Sequence, residues 1–331
     1  MNATGNNTYV IPFHHRATVA SILIALAVIG ICGNGLVIVS VIVTKKLRTV
    51  TNILVVNLAF ADLATCLIQP FLSLGLLSNA GRYPLHEVVC SAVAGAMFTC
   101  ICCSASTLFA IAVLRWYVIT RSVHGHQGIH TPRKIVLLVM IIWIYSLTFT
   151  VLPTVLGAKA LGYSRYYSSC LLVDSNPFYI YSQGSSLVIV FILIVLFYIL
   201  ILRHVLRHNR QIRNVIGVVD GGRSFTTDDC PNATSSVSRE GRPLKIKGIN
   251  KMEIEITKNL FIVVCVIEIC FLIHSVNLII PGQSIATLYS YMILLTNSVV
   301  NPIIYGLKHP NFQEAFKSIL CRRQLEHDVK T

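Results

Sequence analysis

The stretch NSVVNPIIY, residues 297–305, sets a proline and two asparagines inside a run apolar enough to be a membrane helix. Pro302 has no backbone N–H, so a helix through it bends and leaves one carbonyl without its usual partner. In hydrocarbon that carbonyl needs a polar or hydrated neighbourhood, and Asn297 and Asn301 are placed to supply one. The stretch therefore predicts that the chain is a bundle of membrane helices with a polar interior.

Composition agrees. Of 331 residues, 54% are hydrophobic and 12% charged, and the mean hydropathy of +0.71 excludes an ordinary soluble domain. Seven apolar segments, near 17–44, 53–78, 88–114, 134–157, 178–202, 258–280 and 285–306, reach the roughly 20 residues a spanning helix requires. The expected fold is all-α: an N-terminus over 1–16, a seven-transmembrane helix bundle over 17–306, and a short amphipathic helix with a tail over 307–331.

The net charge of +14 could indicate nucleic acid, but its placement indicates topology. Lys45, Lys46, Arg48, Arg121, Arg133, Lys134, Arg203, Arg207, Arg210 and Arg213 fall in loops on one side; Arg16, Arg82, Lys159 and Arg165 are the few on the other. The positive-inside rule makes the basic side cytoplasmic and the N-terminus extracellular, as in a multi-pass plasma-membrane protein. Asn2 and Asn6 open glycosylation motifs on the outer side, while Asn232 opens one on the inner side and should stay unmodified. Cys90 and Cys170 are the one outer pair of the 11 cysteines, and a bridge between them would tie an outer loop over the bundle mouth. Most of the others read as small buried residues.

The long loop within 203–257 begins as a basic helix extension and turns Gly/Ser/Thr-rich. After the seventh segment, Phe312, Phe316, Ile319 and Leu320 share one helical face, as expected of a helix lying on membrane lipid. Cys321 beside Arg322 and Arg323 is a candidate acylation site.

Ionisable residues inside a membrane are functional hypotheses by default. Asp62 shares its depth with Asn34, Ser104, Asn297, Ser298 and Asn301. That set reads either as a hard-oxygen site for a sodium-like ion with water or as a polar cluster that holds helices together. Glu268 in the sixth segment reads as a protonated carboxyl bonded to a neighbouring helix, or as a group answering a ligand charge or pH.

Taken together, Gly33-Asn34, Asn57, Leu58 to Asp62, Cys90, Arg115, Trp143, Pro153, Cys170, Tyr198, Asn301 to Tyr305 and Phe312 occur at the depth and order that identify a member of the rhodopsin-like (class A) G-protein-coupled receptors over nearly the whole chain. AIAVLRWYVIT (110–120) and the stretch from Asn301 to Phe316 loosely resemble the melatonin-receptor branch. The resemblance implies a receptor, not an enzyme, that passes an extracellular small-molecule signal to a heterotrimeric G protein, with no cofactor beyond a bound sodium ion. It places coupling at Arg115, Trp116, Tyr198, Glu253 and Tyr305.

The chain also departs from the family pattern. Leu114 stands where an acid usually precedes the arginine, leaving Glu253 as the expected acidic partner at a rim where such a pair contributes about 0.2–1 kcal/mol. Raised basal signalling is the expected result. Phe271 and Ile273 replace the usual tryptophan and proline of helix six, and Val190 replaces a proline in helix five, so a non-signalling decoy is the alternative within the family.

The ligand pocket implied by the resemblance is lined by Met97, Phe98, Ile101, Ser182, Ser186, Phe271, His274, Ser275, Leu278 and Tyr291, which suits a small lipophilic or weakly polar molecule. Met97 stands where amine receptors keep an aspartate, and Leu295 where opsins keep the retinal-binding lysine. Two rivals lie outside the family. An ion-coupled transporter or channel would use Asp62 and Glu268, yet no internal repeat or charged path accompanies them. An intramembrane serine protease would use Gly184-Ser185-Ser186-Leu187 with His274, and would leave Arg115 and Pro302 unexplained.

Overall fold

The computed structural model describes residues 10–121, 131–158, 161–172, 177–221, 265, 269–277 and 284–328. Helix α1 spans Phe13–Val43, α2 Val50–Leu77, α3 Glu87–Arg121, α4 Pro132–Pro153 and α5 Pro177–Gly221. Helical residues 269–277 form α6, followed by α7 at Ile285–Lys308 and α8 at Pro310–Asp328. An antiparallel hairpin, β1 (Leu161–Ser164) and β2 (Ser169–Leu172), lies between α4 and α5 with Tyr163 opposite Cys170.

Five of the described helices, α1 to α5, are long and apolar enough to cross a membrane. Helix α7 is as long as a span but carries Thr287, Ser290, Thr296, Asn297, Ser298 and Asn301, and of these Ser290, Asn297, Ser298 and Asn301 are buried against its neighbours. The helices run beyond the apolar segments read from sequence. Pro12 precedes α1, which starts at Phe13 and places Arg16 inside the helix rather than in a polar N-terminus. Helix α3 continues past 114, so Arg115 and Trp116 sit within it, and α5 carries the expected basic extension as far as Gly221.

The bundle is apolar outside and polar within. Val28, Ile42, Leu137, Ile144, Ile189 and Ile192 face outward, whereas Asn34, Asp62, Thr107, Ser146, Thr150 and Asn301 are buried. That distribution suits lipid as the outer solvent. Helix α3 is buried along most of its length and lies against α2, α4 and α5. Asn57 knits α2, α3 and α4 together: Trp143 Nε1 donates to its Oδ1 at 2.8 Å, and its Nδ2 donates to Thr107 Oγ1 at 2.8 Å.

Helix α1 packs on α2 and α7, where Gly33 faces Pro302; a Cβ at position 33 would lie 2.9 Å from the proline Cβ. At one end of the bundle, Tyr305 stacks on Phe312 at 5.3 Å and sets the corner between α7 and α8. At the other, a disulfide joins Cys90 at the start of α3 to Cys170 in β2. The chain entering α1 crosses the hairpin there, with Ile11 N–H donating to Tyr166 O at 3.1 Å.

Candidate ligand and signalling site

The Pro302 carbonyl deficit has a specific solution. Proline 302 cannot donate to the carbonyl of Ser298 one turn earlier. Asn34 of α1 donates its Nδ2 to that oxygen at 2.8 Å, and also to Gly30 O at 2.9 Å. The sequence pointed to Asn297 and Asn301 for this task, but their side chains turn elsewhere because they lie on α7 itself, beside the bend rather than across from it.

Asp62 is fully buried in α2. Ser104 Oγ donates to its Oδ1 at 3.1 Å, Asn301 Nδ2 donates to its Oδ2 at 2.8 Å, and Ser298 is close enough to interact with the carboxyl. The structure thus gathers Asp62, Ser104, Ser298 and Asn301 into one cluster and links Asn34 through the Ser298 carbonyl. Asn297 is buried beside them with Oδ1 unpartnered, as is Asn301 Oδ1. An acid with neutral oxygens around it can hold either a proton or a small hard cation.

Asn301 has a second role. With Arg115, Tyr198, Tyr305, His309 and Phe312 it lines a small cavity at the α8 end of the bundle, walled by Leu108 and Ile111 of α3. The guanidinium of Arg115 is near enough to Tyr305 and His309 to act on both electrostatically. Burial holds the His309 imidazole below its ordinary pKa, and the Arg115 charge pushes the same way. Leu114, the neighbour of Arg115, is buried and offers no acid to it. Trp116 packs edge-on against Phe197 of α5 at 5.6 Å rather than lining the cavity. Glu253 lies outside the described residues, as does Glu268. The sequence reading missed His309, which a helix-terminal histidine one turn beyond Tyr305 could have signalled.

At the disulfide end a second cavity is lined by Phe98, Ile101 and Cys102 of α3, Gln183, Ser186 and Leu187 of α5, His274 of α6 and Leu294 of α7. Phe98, Ile101, Ser186 and His274 were predicted from the sequence. Cys102, Gln183, Leu187 and Leu294 were not, although three of them follow by helical spacing: 98, 101 and 102 share a face, as do 183, 186 and 187.

Five predicted residues stand back from this cavity. Met97, Phe271 and Ser275 are buried in the bundle packing, and Ser182 is half-buried on α5. Tyr291 sits behind the wall, its ring 6.1 Å from Phe98 and 5.4 Å from His274. Leu278 lies outside the described residues. His274 Nδ1 is 3.2 Å from Ser290 Oγ on α7, while Ser186 Oγ donates to its own helix at Gln183 O. Although Ser186 and His274 share this cavity, each is engaged with a different partner.

Arg16 was read only as one of the few charges on its side. It is buried, and its guanidinium donates from Nε to Ile11 O at 3.0 Å, from Nη1 to Leu76 O at 3.0 Å and Ser78 O at 2.7 Å, and from Nη2 to Asn79 Oδ1 at 2.9 Å. These bonds tie the end of α2 to the start of α1. Among the described residues, the ion pair formed is Lys46 to Glu314 at 3.0 Å, so the acceptors around Arg16 are neutral. Asn2 and Asn6 lie outside the described residues. Cys321 is exposed on α8 beside exposed Leu320, and the described residues contain no cluster of potential metal ligands.

A buried acid tied to a bent helix, an arginine at the foot of α3 and a disulfide-anchored hairpin over the other end define a seven-helix membrane receptor. The family described as "7 transmembrane receptor (rhodopsin family)" matches residues 33–305, and the chain belongs to that family. It is a G-protein-coupled signalling receptor and not an enzyme. It is 28% identical to the lateral eye opsin of Limulus polyphemus, covering 90% of this chain and 78% of that one. It is 24% identical to the 5-hydroxytryptamine receptor 1B of Spalax ehrenbergi, covering 92% and 87%. Squid rhodopsin superposes with a TM-score of 0.72 at 17% identity, over 93% of this chain and 86% of that one, and shares its fold. The likeness to the melatonin branch rests on its two sequence stretches alone.

Proposed function

We propose that the chain receives a small lipophilic or weakly polar molecule from the extracellular side of the plasma membrane and promotes nucleotide exchange on a heterotrimeric G protein at the α8 end. The observation that carries this reading is the double role of Asn301. One side chain holds the buried acid Asp62 and lines the Arg115 cavity, so a change in the middle of the bundle is felt at its foot. In this reading the N-terminus is extracellular, with Asn2 and Asn6 glycosylated; Arg115, Trp116, Tyr198, Glu253 and Tyr305 serve coupling; and Cys321 carries an acyl chain into the lipid. Asp62, Ser104, Asn297, Ser298 and Asn301 bind a sodium-like ion with water.

The named relatives include opsins and a 5-hydroxytryptamine receptor, but this chain keeps neither group that would anchor their kinds of ligand. Leu295, in the place of the opsin lysine, and Met97, in the place of the amine-receptor aspartate, are both buried and apolar. A neutral ligand held by shape and hydrogen bonds fits better. Leu114 supports a loosened lock around Arg115 and therefore basal activity.

The deciding experiment is basal guanine-nucleotide exchange on a panel of G proteins, comparing the intact chain with Arg115→Ala in the same membranes. Exchange that falls to background in the variant is the expected result. Equal exchange in both, with surface expression matched, would count against the reading and in favour of a non-signalling member.

A further inference from the structure

Around the cavity at the disulfide end, two hydroxyls are bonded back to carbonyls of their own helices. Ser290 has one hydroxyl proton, directed at the carbonyl of Thr287 in its own helix at 2.9 Å. Helical serines commonly return their proton to the preceding turn in this way. The same oxygen lies 3.2 Å from His274 Nδ1. With its proton so engaged, Ser290 Oγ accepts, an arrangement that matches the tautomer with the imidazole hydrogen on Nδ1 and the lone pair on Nε2, the assignment tested below.

Ser186 repeats the pattern. Its Oγ donates to Gln183 O at 2.8 Å, leaving that oxygen also to accept. His274 and Ser186 line the cavity together with Gln183 and Cys102, among the apolar side chains of Phe98, Ile101, Leu187 and Leu294.

We propose that this cavity takes a neutral, apolar molecule carrying an N–H or O–H donor, delivered to His274 Nε2, with Ser186 Oγ set to accept a second donor. The inference rests on the reading of this cavity as the ligand pocket. Among the described residues, no carboxylate lines this wall to answer a cationic amine. An ether or ketone without a donor would leave the Nε2 acceptor unsatisfied.

Indole and benzofuran separate these cases, because they share size and shape while only indole carries an N–H. Binding is read from the thermal unfolding midpoint of the full chain in lipid nanodiscs at graded probe concentrations. Indole should bind roughly tenfold more tightly than benzofuran, and His274→Phe should remove the difference. In a chain labelled with 15N-histidine, the His274 signal, identified by its loss in His274→Phe, should show Nε2 unprotonated.

Equal affinity for the two probes, preference for benzofuran, no stabilisation by either, or a protonated Nε2 overturns the proposal. The probe comparison needs only the unaltered chain, so it stands even if His274→Phe fails to fold. Neither readout uses a G protein. Failure here therefore leaves the coupling reading intact, and failure of Arg115-dependent exchange leaves this one intact.

Discussion

Asn34 of α1 donates to the Ser298 carbonyl of α7 at 2.8 Å, and Pro302, four residues further on, is the reason that carbonyl is open to it. A side chain of one helix completes the backbone of another. Asn34→Leu leaves the buried oxygen unpaired and should lower stability by about 1–3 kcal/mol, read as a lower unfolding midpoint in detergent. Pro302→Ala restores an N–H to the same carbonyl, so the cost of Asn34→Leu should shrink in that background. Strictly additive costs would disconnect the two residues.

Arg16 has four hydrogen bonds fanned over Ile11, Leu76, Ser78 and Asn79. A lysine ammonium offers three donors from a single point and cannot span that set. Arg16→Met should cost about 2–4 kcal/mol by orphaning buried carbonyls, and Arg16→Lys should recover only part of it. A lysine variant as stable as the original would show that charge, not the fork, is what matters.

Leu114 gives Arg115 no acidic neighbour. Leu114→Asp supplies one, and basal nucleotide exchange should fall while the Arg115→Ala background stays flat. Unchanged basal exchange in Leu114→Asp would remove the loosened-lock account of this chain.

The oxygen set around Asp62 predicts an ion effect. Sodium chloride should raise the unfolding midpoint above that in the chloride of a bulky organic cation at equal ionic strength, and Asp62→Asn should lose the difference. A sodium response that survives the substitution would place the ion elsewhere and leave the cluster as interhelical glue.

His309 gives a pH dependence with a definite sign. Its pKa is lowered in the folded chain, first by burial and then by Arg115, so the unfolded chain binds more protons in mild acid. Its contribution is therefore complete above the ordinary histidine value of about 6.5 and is lost as the pH falls from there through the lower folded value. His309→Asn should flatten the loss of stability across that window. An identical acid profile in the variant would show that other groups set it.

Much of the site was legible because depth along a helix can be counted in residues. Asp62, Ser104, Ser298 and Asn301 were grouped on that basis, and three of them meet the acid. Asn34 was grouped as well, but its bond to a backbone carbonyl was not foreseen, because side-chain counting does not register the oxygen that a proline leaves behind. Helix rotation set a second limit. Ser275 is one position from His274 and shares its depth, yet it is buried in the bundle packing while His274 lines the pocket. Arg16 was hidden for a third reason: its partners are carbonyls and an amide that leave no pattern in composition.

The fit between Gly33 and Pro302 leaves no space for even a methyl group between α1 and α7. The bent helix is seated in its neighbour like a key in its wards, so the two must travel as one rigid body or not at all. Any widening of the gap beneath Arg115 then falls to the opposite bank, where Tyr198 of α5 lines it, and the α1–α7 pair acts as the fixed post against which that bank moves.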